Sequence, residues 1–147
     1  MVNLYRELKN KQQKEFNDFS EANMFYAYND KQFEEGMKKL GLELNQTDLL
    51  YSTGSGGCYL KTKSEELQAL LNKQEQELKQ AIEADKTGEG FIKQMFRYEL
   101  NNHEYCYTYE LDDTLDALDL TIEKVNNNPA LLNGLNLALV DMRSEDY

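Results

Sequence analysis

The stretch Asp48-Leu49-Leu50-Tyr51-Ser52-Thr53-Gly54-Ser55-Gly56-Gly57-Cys58-Tyr59-Leu60-Lys61 contains two short apolar and aromatic runs separated by a glycine-rich segment. Such runs are typical of strands, and glycines between them provide the positive φ angles that tight turns require. The stretch therefore predicts a β-hairpin with strands at 48–52 and 58–61. A phosphate-binding loop would need a helix after its glycines and a Lys-Ser/Thr pair, whereas these glycines lead into a predicted strand.

Two further aromatic segments favour strands. Met24-Phe25-Tyr26-Ala27-Tyr28 is bounded by Asn23 and by Asn29-Asp30, which suit turns and helix caps. In residues 105–109 tyrosines alternate with Cys106 and Thr108, and a period of two residues is typical of a strand. The pattern thus predicts a small antiparallel sheet of three to four strands.

Apolar residues at helical spacing predict helices along most of the remaining chain. A capping-box pattern, Thr62-Lys63-Ser64-Glu65, predicts the start of a long helix. The predicted helices cover residues 3–17, 31–40, 62–85, 91–100, 112–118, 121–126 and 129–142. The chain has no internal repeat, and its single Pro129 marks a helix start rather than a linker. We therefore expect one α+β domain over residues 1–147, with the sheet packed against about five or six helices.

Net charge excludes several classes of function. The chain carries −11 at pH 7, and residues 101–147 hold two Lys or Arg against ten Asp or Glu, a net charge of −8. Such a chain repels nucleic acid and membrane phosphate and attracts basic surfaces. No apolar run approaches the roughly 20 residues of a spanning helix, and the charged N-terminus lacks a signal-peptide pattern. We expect a cytoplasmic protein with a basic protein partner, no direct nucleic acid and no membrane; the oligomeric state stays open.

Cysteine and histidine are too few for most metal sites. The chain has Cys58, Cys106 and one histidine, His103, so a four-ligand zinc site is out of reach and no cofactor is predicted. His103 and Cys106 could form a catalytic pair if they met in space, with Asn101 or Asn102 orienting the imidazole. A small cytoplasmic enzyme using Cys106 and His103 is thus an alternative, although we expect no enzyme activity.

An acidic segment forms the candidate partner-binding surface. Three tyrosines precede a cluster of carboxylates, and together they comprise Tyr105, Tyr107, Tyr109, Glu110, Asp112, Asp113, Asp116, Asp119 and Glu123. If 112–123 were one helix, four carboxylates would share a face opposite Leu111, Leu115, Leu118 and Ile122. Tyrosine provides rigid contact area and carboxylates steer a basic partner. The alternatives are a solvated helix face on a structural accessory protein, or a surface that imitates nucleic-acid phosphate.

Three stretches carry a resemblance to a known family. They are Leu4-Tyr5-Arg6-Glu7-Leu8-Lys9, the run from Gln32 to Leu42 (QFEEGMKKLGL), and the run from Ala81 to Tyr105 that includes AIEADKTGEGFI and MFRYELNNHEY. The chain resembles a family of small proteins with a domain of unknown function from Gram-positive bacteria, their phages and mobile elements. The resemblance implies no catalytic residue or cofactor. It implies a phage or mobile-element setting, in which compact acidic proteins often inhibit host defence nucleases, some as DNA mimics.

Overall fold

A computed structural model describes the backbone of residues 2–145 and the side chains of these residues except 106, 107, 144 and 145. The described chain contains eight α-helices and three strands. The helices are α1 (Leu4–Asn23), α2 (Asp30–Lys39), α3 (Ser64–Ala84), α4 (Phe91–Asn102), α5 (Tyr105–Thr108), α6 (Asp112–Ala117), α7 (Ile122–Asn126) and α8 (Pro129–Glu145). The strands are β1 (Met24–Tyr26), β2 (Leu50–Ser52) and β3 (Gly57–Leu60). The α+β fold class is confirmed.

The three strands form one antiparallel sheet in the order β1-β3-β2. Phe25 of β1 pairs with Cys58 of β3, and Tyr51 of β2 pairs with Tyr59 of β3. β2, β3 and the loop between them form the hairpin predicted from the glycine-rich stretch. The loop closes where Thr53 N donates to the carbonyl of Gly57 at 2.9 Å, and Gly54 and Gly56 adopt positive φ as such a turn requires.

The predicted fourth strand is wrong. Residues 105–108 form the single helical turn α5, in which Tyr109 N donates to the carbonyl of Tyr105 at 2.8 Å. Glu104 and Tyr109, on either side of the turn, adopt left-handed φ angles of 57° and 58°, which an extended strand cannot contain. The alternating tyrosines favour a strand, but the left-handed residues at both ends of this stretch turn the backbone and exclude one.

The long helix α3 begins differently from the prediction. Residues 61–63 form a 3-10 turn that continues into α3 at Ser64, so Thr62 is not a helix N-cap. By contrast, the predicted cap of α2 is present, because Asn29 accepts a hydrogen bond from Gln32 N at 2.9 Å.

The described residues divide into two compact units. The first contains the residues up to Asn10 and those from Glu77 onward, and the second is Lys11–Gln76. The single-domain expectation stays a prediction. The core of the first unit consists of Tyr5, Phe91, Ile92, Met95, Phe96, Leu100, Leu115, Leu118, Val125, Leu131, Leu135, Ala138 and Met142. Helices α4 and α8, which were predicted from their apolar spacing, provide most of it.

Two glycines allow close packing in the first unit. Gly88, with φ of 82°, lies against the carbonyl of Ala130 at the start of α8. Gly134 of α8 lies against Ile92 of α4 and leaves no room for a Cβ atom. The loop before α4 is fixed by the half-buried carboxylate of Asp85, which accepts from Gly88 N at 3.0 Å and from Ile92 N at 3.0 Å. Asp85 therefore caps α4 from six residues upstream of its first residue.

The second unit contains the sheet and α2. Phe25 and Met37 are buried there, and Phe25 lies directly against Gly36 of α2. The Phe25 and Phe33 rings meet edge to face at 5.7 Å. Gln12 of α1 and Gln74 of α3 each donate to the other's carbonyl at 3.0 Å, and Lys73 pairs with Glu15. None of the described helices is long and apolar enough to cross a membrane.

Candidate partner-binding surface

The acidic carboxylates lie on two short helices and the connections beside them. Helices α6 and α7 pack onto the core of the first unit through Leu115, Leu118 and Val125, which are buried. The carboxylate residues of the segment are all exposed; they are Glu110, Asp112, Asp113, Asp116, Asp119 and Glu123. The segment is therefore anchored by its apolar side chains and presents its acidic side chains to solvent.

The continuous acidic helix considered for residues 112–123 is absent. α6 ends at Ala117 and α7 begins at Ile122, with Asp119 in a left-handed conformation at φ 54° between them. Thr121 caps α7 by accepting a hydrogen bond from Lys124 N at 3.2 Å. Ile122, expected on the apolar face, is exposed. The carboxylates accordingly occupy two helices and a turn, not one helix face.

The tyrosines expected beside the carboxylates have different surroundings. Tyr105 is half-buried and packs against the core, whereas Tyr109 is 70% exposed. The two rings meet edge to face at 5.9 Å. The side chains of Tyr107 and Cys106 lie outside the described part of the structure.

Left-handed backbone is concentrated in and beside this segment. Within the described chain, the non-glycine residues with positive φ are Glu104, Tyr109 and Asp119. Each such residue costs roughly 1–2 kcal/mol relative to the right-handed helical region, and residues of this kind cluster at functional sites. Leu118, which directly precedes Asp119, is buried in the core of the first unit.

The exposed carboxylates have no cation partner among the described side chains. Ion pairs elsewhere in the described residues join Lys14 to Asp18 at 3.0 Å and Lys93 to Asp141 at 3.0 Å, but none involves the six acidic residues of the segment. Between Arg97 and Arg143 the sequence contains one Lys or Arg, which is Lys124. The negative charge of the segment is therefore left uncompensated and available to a partner.

A second carboxylate site is buried and was missed in the sequence. Glu99 of α4 is 2% exposed, and its Oε1 accepts from the Tyr5 hydroxyl at 2.5 Å and from Lys9 Nζ at 3.2 Å. His103 Nε2 lies 3.4 Å from Glu99 Oε2. The Lys9 ammonium also lies 5.6 Å from the centre of the Tyr98 ring. The position of Glu99 on the apolar stripe Phe91, Ile92, Met95, Phe96, Leu100 was the available signal, because a charge there must be paired.

The Glu99 cluster changes the ionisation of Tyr5. Burial is the largest cause, and the hydrogen bond and the negative charge of Glu99 add to it, so the pKa of the Tyr5 phenol is raised far above its usual value. Tyr5 also stacks on Phe91 at 5.6 Å between ring centres. Tyr5 and Glu99 are both buried, whereas the side chains of Lys9 and His103 are 44% and 28% exposed, so the cluster has a buried centre and an edge that reaches solvent.

The alternative catalytic pair is only half described. His103 ends α4, and its Nε2 is shielded from solvent and faces Glu99. Cys106 carries no described side chain, so the distance between the two stays untested. Cys58 is half-buried on β3, where burial raises the pKa of its thiol. In the described residues no three His, Cys, Asp or Glu side chains come together as a metal site.

Comparison with known proteins identifies a family. No curated protein and no solved structure is significantly similar to the chain. A family of unknown function, DUF7659, matches residues 4–141. This match includes every element from α1 through most of α8, the buried Glu99 cluster and the acidic segment, and the chain therefore belongs to the DUF7659 family.

Proposed function

We propose that the protein is a non-enzymatic acidic binding module of the cytoplasm whose segment 105–123 binds a basic surface on another protein. One observation carries the proposal: six exposed carboxylates between Glu110 and Glu123 have no cation partner among the described side chains. Exposed charges of one sign accelerate association with a surface of opposite sign and fix its orientation. Tyr109, 70% exposed beside them, adds an aromatic contact of the kind enriched at binding hot spots.

The proposed chemistry of the partner follows from the sign and the clustering of the charge. Carboxylates distributed over two helices and a turn resemble the row of negative charges that a nucleic acid presents to its binding protein. The proposed partner is therefore a nucleic-acid-binding protein, and the protein acts as an inhibitor that occupies its groove. The resemblance to proteins from phages and mobile elements of Gram-positive bacteria makes a host defence nuclease the proposed target.

The test is capture from a Gram-positive host lysate on immobilised protein at about 50 mM and about 500 mM salt. Charge-driven binding weakens as salt shortens the screening length from about 10 Å at 0.1 M to about 3 Å at 1 M. We expect a nucleic-acid-binding protein to be retained at low salt, released at high salt and displaced by added duplex DNA. Retention of non-basic proteins alone would contradict the proposal.

A matched pair of variants separates the acidic segment from net charge. The first combines Asp112→Asn, Asp116→Asn and Asp119→Asn. The control removes the same number of charges from exposed residues of the second unit, and it combines Glu21→Gln, Glu43→Gln and Glu65→Gln. We expect the first variant to lose the captured partner and the control to keep it. Equal retention by both would show that the segment is only a solvated surface.

A further inference from the structure

The helical turn α5 consists of amino acids that seldom form helices. Its sequence is Tyr-Cys-Tyr-Thr, and all three residue types are weaker helix formers than alanine, leucine or lysine. Tyrosine and threonine are instead enriched in strands. A helix of one turn also gains little from cooperativity, because forming the first turn costs more than extending it. The local sequence therefore opposes the conformation that the structure adopts.

The backbone on both sides of α5 adds to this conflict. Glu104 precedes the turn at φ 57°, and Tyr109 follows it at φ 58°. Apart from Asp119, every other residue of the described chain with positive φ is a glycine. Glycine adopts left-handed backbone without steric cost, and aspartate adopts it more readily than glutamate or tyrosine does. Glu104 follows the C-cap of α4, a position where helices usually have glycine or asparagine.

A small set of described contacts holds the turn in place. Thr108 N donates to the carbonyl of Glu104 at 3.2 Å, and Tyr109 N donates to the carbonyl of Tyr105 at 2.8 Å. Thr108 Oγ1 accepts from Glu110 N at 3.2 Å, and the rings of Tyr105 and Tyr109 meet edge to face. Tyr105 is half-buried and packs against the core of the first unit, whereas Glu104, Thr108 and Tyr109 are exposed. Of the described side chains of this stretch, Tyr105 is thus the one that anchors it to the core.

We propose that residues 104–110 are a two-state element that exchanges between this helical turn and an extended conformation, and that the extended conformation binds the partner. In the extended conformation neither Glu104 nor Tyr109 needs a left-handed backbone. Local conflicts between sequence and structure of this kind are expected at functional sites. The inference rests on the proposed function, because it states which conformation of the residues at the start of the acidic segment takes part in binding.

The exchange changes the surface beside the carboxylates. Leu100 and Leu115 are buried on either side of the element, so its conformation can change while α4 and α6 stay packed. The four residues of the turn span about 6 Å as a helix and about 13 Å when extended. Side chains alternate along an extended chain, so residues 105, 107 and 109 share one face directly before Glu110. The extended backbone also presents N–H and C=O groups that can pair with the edge of a partner's sheet.

Relaxation-dispersion NMR on the isotopically labelled full-length protein tests the exchange, because it detects minor states that interconvert in microseconds to milliseconds. We expect exchange at the amides of residues 104–110, with minor-state carbon shifts of extended backbone. Glu104→Gly should lower the ratio of extended to helical conformers at least about fivefold, because glycine accepts positive φ. Glu104→Val should raise the ratio about threefold, because a β-branched residue opposes positive φ. Glu104→Gln removes the same exposed charge but keeps a straight side chain, so it is the matched control and should leave the ratio unchanged.

Capture from the host lysate at about 50 mM salt, where charge-driven binding is strongest, then relates conformation to binding. All three variants lack the Glu104 carboxylate, and we expect the amount of retained partner to rise from Glu104→Gly to Glu104→Gln to Glu104→Val. Absence of exchange, or equal ratios in the glycine and valine variants, would overturn the proposal whatever is captured. Equal retention by the three variants would overturn the binding role of the extended conformation and leave the proposed function standing. Capture of no basic protein by the unmodified chain would contradict the proposed function and with it that binding role.

Discussion

Glu99 and the acidic segment 110–123 show two opposite uses of a carboxylate in one unit. Glu99 is 2% exposed and is surrounded by Tyr5, Lys9 and His103. The six carboxylates of the segment are exposed, and no described side chain pairs with them. A buried carboxylate must be satisfied internally, and it then holds the elements around it together. An exposed, unpaired carboxylate contributes little to the fold and is free to act on a partner.

The largest expected effect comes from breaking the buried network. Glu99→Ala should lower the free energy of unfolding by about 2–4 kcal/mol, because the Tyr5 hydroxyl loses its acceptor in a buried site and a cavity forms. Lys9, whose side chain is 44% exposed, can turn to water and adds less. Urea denaturation measures the change. Glu110→Ala in the acidic segment is the control and should stay within about 0.5 kcal/mol. Similar losses in both variants would remove the distinction between the two regions.

The next effect concerns alkaline pH. The pKa of Tyr5 in the folded protein is raised, by burial first and then by Glu99, above the value of about 10 for an unfolded tyrosine. The unfolded chain therefore releases this proton more readily, so the stability is fully present below about pH 10 and is lost as pH rises above it. Tyr5→Phe should cost roughly 1.5–3 kcal/mol at pH 7, the usual contribution of a hydrogen bond to a charged group, and should flatten the alkaline limb.

Urea denaturation between pH 7 and pH 11 measures both parts of this prediction. Tyr28→Phe, at a tyrosine that is 74% exposed, is the control and should leave the alkaline limb unchanged. An identical alkaline limb in Tyr5→Phe and the unmodified protein would show that the buried network does not govern stability at high pH.

Asp85 is the intermediate case, a half-buried carboxylate satisfied by backbone. Partial burial opposes its ionisation, but hydrogen bonds from the backbone of Ile92, Gly88 and Gly90 prevail and lower its pKa. Its contribution to stability is present above about pH 4, the pKa of an unfolded aspartate, and is lost as pH falls through the lower folded value.

Asp85→Asn should cost about 1–2 kcal/mol at pH 7, as loss of a helix cap does, and should reduce the acid dependence of stability. Thermal unfolding at pH 7 and pH 2.5 measures this. Asp48→Asn, at an exposed aspartate, should change neither value, and an unaltered acid dependence in Asp85→Asn would contradict the role of Asp85 as a cap.

The smallest expected effect on stability concerns the exposed carboxylates of the acidic segment. The triple variant Asp112→Asn, Asp116→Asn and Asp119→Asn should change the free energy of unfolding by no more than about 0.5 kcal/mol per site, because these side chains are exposed and unpaired. Circular dichroism during urea denaturation gives the value. A loss of several kcal/mol would mean that the acidic segment is structural and would weaken the proposed function.

Most of the helices and strands could be predicted from local patterns in the sequence. α4 and α8 follow from apolar residues at helical spacing, and β2–β3 follows from glycines between two apolar runs. Residues 105–109 could not be predicted, because their tyrosines alternate as in a strand while the left-handed Glu104 and Tyr109 impose a turn. The break between α6 and α7 agrees with the two short helices predicted at 112–118 and 121–126, but the left-handed conformation of Asp119 was not predicted. Glu99 was visible as a charge on an apolar stripe, but its partners Tyr5 and Lys9 lie 94 and 90 residues away.

The 94 residues between Tyr5 and Glu99 also predict an order of folding. The second unit is one continuous run, Lys11–Gln76, whereas the first unit combines residues from both ends of the chain. During synthesis the residues of the second unit leave the ribosome before α4, so their local contacts can form first. The hydrogen bond from Tyr5 to Glu99 closes a loop of 94 residues, and closing long loops slows folding through the entropy it costs. The first turn of α1 is therefore synthesised before the second unit and before α4, and its buried contacts are among the last to form.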